Sequence, residues 1–420
     1  RGREAKRMSV TGTRGSMEPP RDKWGEWVFL IFGVGSILPW NAFVTAVDYF
    51  AFHYSKYHPD RSIPVCYMVP NVLSTALLVK YGYKMSHTTR ITVGFQAFAV
   101  SMAAVPVIDK VASINGDQYS EFIAMMCIFA FVAINGVANG AVQGSIFGLA
   151  APLPPRYTGA VVTGSAVSGV GICALRALTK FAFGDTTWGL NMGTYVYFAV
   201  GGVYSLMCME LNRRVVPKLK VIRWYNGQDG EDQALLSPSK PNTLADEEGR
   251  GGDVAAKPAP PPPIDGSSLV PRVWRHATGV FLVYWVTLCI FPGVLAENSN
   301  GPSVLGSWYP IILISAFNVA DTLGRMAPPS WQTGSGPPIL FCSLARVAFL
   351  PAYAAAITFK SGLITFMGLT LMLGATNGYL TTCAMSSAPQ KFNSREADAV
   401  GVVMVFFLLS GLSVGAVSGW

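Results

Sequence analysis

Long apolar segments recur along this 420-residue chain, and they restrict what it can fold into. A helix needs about 20 apolar residues to cross the hydrocarbon core of a bilayer. We place eleven such segments, at 24–50, 63–81, 91–108, 121–149, 157–183, 194–211, 277–296, 303–324, 339–357, 363–385 and 397–420. Only 13% of the residues are charged, whereas about a quarter are charged in a soluble domain. The chain is therefore predicted to be an all-α polytopic membrane protein with eleven transmembrane helices.

Basic residues mark one side of these segments. Lys and Arg are frequent before the first segment and in alternate connections, with the strongest cluster between Arg213 and Arg223. Because Lys and Arg accumulate on the cytoplasmic side of membrane proteins, we expect a cytoplasmic N-terminus and, after eleven crossings, a C-terminus outside. Their placement also accounts for the formal net charge of +8, so this charge does not predict nucleic-acid binding.

One polar stretch divides the chain. Residues 212–273 begin basic, turn acidic and end in the proline run 258–263, a composition that cannot bury a core. The predicted organisation is a cytoplasmic tail (1–23), a six-helix bundle (24–211), a disordered cytoplasmic loop (212–273) and a five-helix bundle (274–420). Two bundles around a long loop are typical of a transporter that binds its substrate between its halves.

Catalytic and metal-binding signals are weak. The seven cysteines lie in apolar stretches without a CxxC pair, which is typical of packing residues. His53 and His58 share a connection that offers no third ligand, so no metal site is predicted. We find no phosphate-binding loop and no nucleophile elbow. The sequence therefore predicts neither an enzyme nor a cofactor.

The stretch INGVANGAVQGSIFG carries a glycine at every fourth residue, which places its glycines on one helix face. A second helix can approach such a face closely. An amide precedes each of the first three glycines, at Asn135, Asn139 and Gln143. These amides could hydrogen-bond a neighbouring helix or line a polar cavity. Both interpretations stay open for Asn135 and Asn139, whereas for Gln143 we favour the cavity.

Polar residues interrupt the eighth segment at Asn318, Asp321 and Arg325. Their spacing places them on one helix face, where Asp321 and Arg325 can pair. One interpretation is a surface pair at the cytoplasmic end of the helix. The other is a binding site, because charges inside a membrane usually face a bundle interior or a water-filled path. There the arginine would keep the carboxylate ionised, and the carboxylate would accept hydroxyl groups of a polyol such as ribose.

Aromatic and basic residues inside other segments extend the candidate site. Trp40 and Asn41 follow Pro39 about halfway along the first segment. Trp is common at membrane interfaces, but a position after a predicted kink favours a pocket wall that stacks on a base. Arg346 lies inside the ninth segment and is predicted to contact a neighbouring helix.

Several stretches, in order along the chain, resemble the equilibrative nucleoside transporter family, with the plant branch most similar. They are LPWNAF, NGAVQGSIFGLAAPLPPRYTGAVVTG, VTLCIFPG, WYPIILISAFNVADTLGR, LARVAFLP, TNGYL and READAVGVVMVFFLLSGLSVGA. The resemblance implies a major-facilitator-like fold of six and five helices. It also implies transport of purine and pyrimidine nucleosides, and in some members nucleobases, by alternating access.

The resemblance assigns roles to individual residues. It implies that Trp40 lines a central cavity and that Gln143 hydrogen-bonds the nucleobase. It implies that Asp321 and Arg325 hold the ribose hydroxyls or close a gate beneath them. The remaining candidates for the cavity wall are Asn41, Met68, Ser145 and Asn318.

Coupling and location stay open at this stage. Transport is expected to be either facilitative or coupled to a proton, with Asp48 and Asp321 as the titratable candidates. We expect the plasma membrane as the location, and an internal membrane such as the vacuole as the alternative. Two other functions fit the pattern: a major facilitator sugar or drug porter, and a membrane protein that senses nucleosides without transporting them.

Overall fold

The computed structural model describes residues 21–115, 118–184, 186–225, 264–291, 308–328 and 338–418. Its long helices are numbered here in chain order. They are α1 (Lys23–Thr45), α2 (Pro59–Tyr81), α3 (His87–Asn115), α4 (Gln118–Ala150), α5 (Pro155–Phe183), α6 (Thr187–Arg214), α7 (Val270–Ile290), α8 (Trp308–Met326), α9 (Ile339–Ala345 and Phe349–Thr358, joined by the 3-10 turn Arg346–Ala348), α10 (Leu363–Ser387) and α11 (Ser394–Ser418). No strand occurs among the described residues.

Each predicted segment overlaps one of these helices, so the all-α membrane architecture is confirmed. Ten helical stretches of the described chain are long and apolar enough to cross a membrane. Helix α8 is not among them, because Asn318, Asp321 and Arg325 lower its hydropathy. That α8 crosses the membrane therefore stays a prediction. It is the helix in which the polar residues Asn318, Asp321 and Arg325 interrupt the apolar sequence.

The first helix is interrupted later than its proline suggests. Pro39 lies inside the continuous helix α1, and the break comes at Ala46, after which Val47–His53 forms a short helix of its own. The side chain of Asp48, in this short helix, lies outside the described residues, and so do Pro292 and the connection 297–302.

The polar loop is shorter than predicted. Residues 212–214 complete α6, and a helical segment follows up to residue 225. On the far side, Gly266–Leu269 forms a 3-10 turn before α7 starts at Val270. These ends are ordered because apolar side chains in them are buried, among them Val216, Val221 and Leu269. Helical structure therefore extends into the predicted loop from both sides, and residues 226–263 lie outside the described chain.

The glycine face of α4 packs as predicted. A Cβ atom on Gly136 would lie 2.2 Å from the backbone oxygen of Tyr67, and one on Gly140 would lie 2.6 Å from that of Asn71. No side chain fits at such distances, so these glycines allow α2 to approach the α4 backbone. Further along the same face, Gly148 lies against α11 through Asp398 and Val402.

We call helices α1–α6 and α7–α11 the two halves of the protein. Within the first half α1 packs on α5, and α4 packs on α2 and α3; within the second half α7 packs on α11, and α8 packs on α10. Between the halves, α11 contacts α2 and α4, whereas α5 contacts α8 and α10. The contact between halves therefore runs along two seams.

Three clusters of buried apolar residues form the core, and one of them is shared by the two halves. The largest cluster joins both halves at one end of the molecule, through residues such as Tyr157, Val221, Val273 and Val403. The buried residues of a second cluster come only from the first half, and those of a third only from the second half. The halves thus share a core at the end where α4, α6 and α10 finish, which we call the joined end.

Candidate binding site between the two halves

An ion pair on α8 lies at the centre of the candidate site. Nη2 of Arg325 lies 2.9 Å from Oδ2 of Asp321, and the two side chains are only 8% and 5% exposed. The i, i+4 spacing predicted this pair. Because both charges are buried, the alternative of a surface pair at the helix end is wrong.

Arg325 reaches from the second half to the first. Its Nη1 donates to the backbone oxygen of Val162 at 2.7 Å and to Oγ of Ser165 at 3.1 Å, both on α5. Its Nη2 donates to the hydroxyl of Tyr284 on α7 at 3.4 Å. A single guanidinium group therefore links α5, α7 and α8, and any movement of the halves apart at this seam must break its bonds to α5.

The second oxygen of Asp321 is held from α10. Nδ2 of Asn377 donates to Oδ1 of Asp321 at 2.8 Å, and Oγ1 of Thr287 donates to Oδ1 of Asn377 at 2.8 Å. Nη2 of Arg346 in turn donates to Oγ1 of Thr287 at 2.7 Å. A continuous chain of hydrogen bonds thus orients the carboxylate and connects it to a second buried arginine.

Arg346 has the predicted interhelical role. Its Nη1 donates to the backbone oxygen of Leu373 at 3.1 Å and to the hydroxyl of Thr376, both on α10. No described carboxylate pairs directly with Arg346, so the nearest negative charge is Asp321 at the other end of the hydrogen-bond chain. One carboxylate and two guanidinium groups therefore share this buried region.

Two further candidate residues, Asn41 and Asn318, contact α5 along the same seam. Nδ2 of Asn41 donates to Oγ of Ser168 at 3.0 Å. Asn318 lies against Gly169, where a Cβ atom would come within 2.3 Å of its Oδ1. Nδ2 of Asn318 donates to Ile314 of its own helix at 3.0 Å and contacts Sγ of Cys173 at 3.4 Å. Asn41, Asn318 and Arg325 thus contact α5 directly, and Asp321 is connected to it through Arg325.

The remaining candidates form a separate group in the first half. The rings of Trp40 and Tyr67 lie 4.5 Å apart between centroids, and Met68 is buried in the same apolar cluster. Gln143 donates to Oδ1 of Asn139 at 3.1 Å, and Ser145 donates to Ala141 of its own helix at 2.6 Å. No described hydrogen bond joins this group to α5 or α8.

The amide stripe of α4 makes its hydrogen bonds within the helix. Asn135 donates to the backbone oxygen of Phe131 at 2.8 Å, and all three amide side chains are buried. Three buried polar atoms of this region lack a hydrogen-bond partner among the described residues: Oδ1 of Asn135, Oδ1 of Asn71 and the hydroxyl of Tyr67. The seam between α2 and α4 therefore holds unused hydrogen-bonding capacity.

Comparison with known proteins identifies the family. The family model described as nucleoside transporter matches residues 125–420. The chain belongs to this nucleoside transporter family. It is 35% identical to equilibrative nucleotide transporter 1 of Arabidopsis thaliana over 94% of this chain and 84% of the relative. Equilibrative nucleotide transporter 8 of the same plant is 32% identical, over 94% and 93% of the two chains.

Membership in the nucleoside transporter family confirms the predicted resemblance, and the plant relatives fit the predicted branch. It also confirms that the protein is a multi-pass membrane transporter rather than an enzyme.

Solved structures confirm the major facilitator fold. The proton:xylose symporter XylE has a TM-score of 0.62 at 12% identity, over 94% of this chain and 88% of the symporter. A bacterial homologue of ferroportin in an outward-facing state also reaches 0.62, at 9% identity, over 94% and 91% of the chains. At such identities the likeness concerns the fold alone.

Proposed function

We propose that the protein carries purine and pyrimidine nucleosides across the membrane by alternating access, with one substrate molecule bound between its halves. The observation that carries this proposal is the buried Asp321–Arg325 pair, which lies at the contact between α5 and α8. Burying a charge pair inside a membrane protein is costly, and such pairs usually mark a substrate path or a binding site. The family and the names of the plant relatives support a nucleoside as the substrate class.

The ribose would bind at the α8 group. A carboxylate accepts hydrogen bonds from neighbouring hydroxyl groups, and here Asn377 and Arg325 already hold Asp321 in one orientation. Arg325 would either donate to the same hydroxyls or close the path beneath them. Asn41 and Asn318 would line the wall on either side of α5. Such an arrangement favours a polyol over an apolar ligand.

The nucleobase would bind at the group in the first half. The Trp40–Tyr67 pair offers an aromatic surface for stacking, and Gln143 offers an amide. Met68 and Ser145 would complete this wall. The unpaired oxygen atoms of Asn71 and Asn135 lie in the same seam and can accept hydrogen bonds from amino groups of a base. These roles apply equally to a free nucleobase, which would lack only the contacts at Asp321.

The joined end would be the cytoplasmic gate. The connections at this end carry Arg156, Arg213 to Arg223, Lys391 and Arg395, which favours the cytoplasmic side and hence a cytoplasmic N-terminus. In the described state this end is closed by a shared core. Opening it requires the bonds from Arg325 to Val162 and Ser165 to break. We expect residence in the plasma membrane, with the vacuole as the alternative.

The proposed transport is either facilitative or coupled to the movement of a proton. Asp321 is the described candidate for carrying the proton, and its carboxylate accepts hydrogen bonds from both Asn377 and Arg325. Coupling at this residue would require the pair with Arg325 to open during the cycle. Uptake that is equal at acid and neutral external pH would exclude a co-transported proton and leave facilitated transport.

Uptake of labelled adenosine and uridine, in cells that lack their own carriers, tests the function. We expect saturable uptake that is lost in Arg325→Ala and reduced in Gln143→Ala, with the protein still in the membrane. Arg325→Lys keeps the charge but loses the fork of donors, so it should restore folding without restoring affinity. Arg395→Ala, an exposed arginine on α11, is the matched control and should transport normally.

The same experiment separates the alternatives. A sugar or drug porter would move its own substrate and neither nucleoside; only the fold supports it. A sensor would bind adenosine without saturable flux. Folded wild-type protein that neither binds nor transports nucleosides would overturn the proposed function.

A further inference from the structure

Exposed basic residues form a positively charged surface at the joined end, next to α1 and α6. It consists of exposed basic side chains at the start of α1, in the last turn of α6 and in the segment that follows. We call it the basic rim; its members are Arg21, Lys23, Arg213, Arg214, Lys218, Lys220 and Arg223.

The segment after α6 is fixed in place by its apolar side. Val216, Leu219, Val221 and Ile222 are all buried and belong to the core cluster that joins the two halves. The backbone N–H of Lys220 also donates to Oδ2 of Asp22 at 2.9 Å. Because one side of the segment is buried, its cations are confined to the outer surface.

Neighbouring acids neutralise only part of this charge. Glu210 pairs with Arg214 at 2.6 Å and with Arg213 at 3.7 Å, and Glu26 lies 3.8 Å from Arg21. Within the described chain, no acidic side chain pairs with Lys218, Lys220 or Arg223. The rim therefore keeps unpaired cations at its centre, where a negatively charged partner can bind.

Two tryptophans place the rim at the level of the lipid headgroups. Trp24 and Trp27 are 56% and 59% exposed in the first turns of α1, and tryptophan is enriched at the membrane–water interface. Asp22, which holds the Lys220 backbone, precedes Trp24 by two residues. The bond from Lys220 to Asp22 thus fixes the segment with the unpaired cations next to the first turn of α1, which carries these rings. This depth favours a lipid headgroup over a soluble acidic partner.

We propose that the basic rim binds the headgroups of anionic lipids in the adjacent leaflet, and that this binding stabilises the state in which the joined end is closed. Clusters of Lys and Arg next to a membrane span attract anionic lipids. The buried side of the same segment forms part of the core shared by the halves, so opening this end must disturb the rim. A ligand that binds one conformation better shifts the population toward it.

Energy transfer from tryptophan to dansyl-labelled lipid tests the binding. The full chain is placed in nanodiscs that contain dansyl-phosphatidylserine or dansyl-phosphatidylcholine at equal mole fraction. We expect wild-type protein to enrich the serine lipid, and the enrichment to fall with added salt. The triple variant Lys218→Gln, Lys220→Gln, Arg223→Gln should weaken binding on the order of a hundredfold, since each cation contributes separately.

Two matched variants make the result specific. Lys56→Gln, Lys110→Gln, Lys360→Gln removes three exposed lysines from the opposite end and should keep the enrichment. Lys218→Arg, Lys220→Arg, Arg223→Lys keeps the charge and should also keep it, which separates loss of charge from loss of folding. Equal enrichment in wild type and the glutamine triple variant would overturn the proposal. So would equal losses in the two glutamine triple variants.

A second measurement tests whether bound anionic lipid stabilises the state that is closed at the joined end. Anionic lipid should increase the fraction of wild-type protein that is closed at the joined end, as read from the distance between spin labels on its two halves. The glutamine triple variant should not respond. Neither measurement uses a nucleoside, so their outcome is independent of the proposed substrate. An unchanged distance distribution with bound lipid would overturn the stabilising role.

Discussion

At the scale of single residues, the candidate site depends on how one carboxylate is held. Asp321 has a donor on each oxygen, Arg325 on one and Asn377 on the other. A buried carboxylate is tolerated when it is paired and hydrogen-bonded in this way. The geometry therefore leaves the carboxylate fixed in orientation while its remaining lone pairs stay available to a ligand.

Replacing Asn377 by alanine should damage both the site and its stability. The change removes the donor to Oδ1 of Asp321, and a buried group left unpaired costs about 1–3 kcal/mol. Thr287 keeps the backbone oxygen of Val283 as an acceptor. We expect a lower melting temperature in detergent and a higher KM for uridine. Gln390→Ala, an exposed amide just beyond α10, is the control and should change neither. Equal KM values in wild type and Asn377→Ala would show that the hydrogen bond does not position the carboxylate.

The sequence predicted the charged members of the site but not their partners. Asp321, Arg325 and Arg346 are conspicuous because charges are rare in apolar helices. Thr287 and Asn377 lie in the quoted stretches VTLCIFPG and TNGYL, yet a lone hydroxyl or amide carries no signal of what it contacts. Only the packing of α7, α8 and α10 brings them within hydrogen-bond distance.

At the scale of elements, the number and order of the helices were predictable, whereas their boundaries and contacts were only partly so. The glycine spacing predicts that α4 presents a close-packing face, but not that α2 and then α11 occupy it. The third segment is predicted to end at residue 108, one residue before the charged Asp109. In the structure α3 continues to Asn115, and Asp109 is buried.

Asp109 joins two helical elements through hydrogen bonds, a role that the hydropathy of the sequence does not predict. The hydroxyl of Tyr54 donates to its Oδ1 at 2.8 Å, and that of Tyr49 donates to its Oδ2. Both tyrosines follow the break at Ala46, so this carboxylate ties the extension of α1 to α3. Asp109→Ala should leave two buried hydroxyls unpaired and cost about 2–5 kcal/mol, measured as a lower melting temperature. Tyr54→Phe removes one bond and should cost less than half as much; an equal loss would contradict this role.

Gly136→Ala should separate α2 from α4. The new Cβ atom would lie 2.2 Å from the Tyr67 backbone oxygen, so the helices must move apart at a cost of about 1–3 kcal/mol. Gly171→Ala is a matched control in α5, because nothing lies within 4 Å of its added Cβ. We expect the first variant to lose thermal stability and the second to keep it or gain slightly. Similar melting temperatures for both would mean that the glycine face does not determine helix contact.

At the scale of the whole molecule, the halves are held together mainly at one end. The shared core, the bonds of Arg325 to α5 and a histidine–carboxylate contact all lie there. Away from that end, each half has buried residues of its own. A carrier built in this way can separate its halves at the joined end without unfolding either core, which is the mechanical requirement of alternating access.

The contact between His87 and Asp398 is a partly exposed link between the halves, with side chains 21% and 39% exposed. Nε2 of His87 lies 2.9 Å from Oδ2 of Asp398, while its Nδ1 faces a donor on Arg90 at 3.1 Å. The imidazole therefore donates from Nε2 to the carboxylate on α11. Asp398→Ala should favour the state that is open at this end by about 1 kcal/mol or less, the usual contribution of a partly exposed pair.

Spin labels at Ser86→Cys and Gln390→Cys, in a variant without native cysteines, measure this shift as a longer distance between the halves. Glu396→Ala is the matched control. Glu396 lies two residues before Asp398 on α11 but pairs with Arg272 at 2.7 Å, within the second half. Removing it takes away a charge of the same sign without touching the contact between halves. If both variants shift the distance equally, the charge of α11 rather than the bond to His87 stabilises the closed end; if only Asp398→Ala does, the bond is part of the gate.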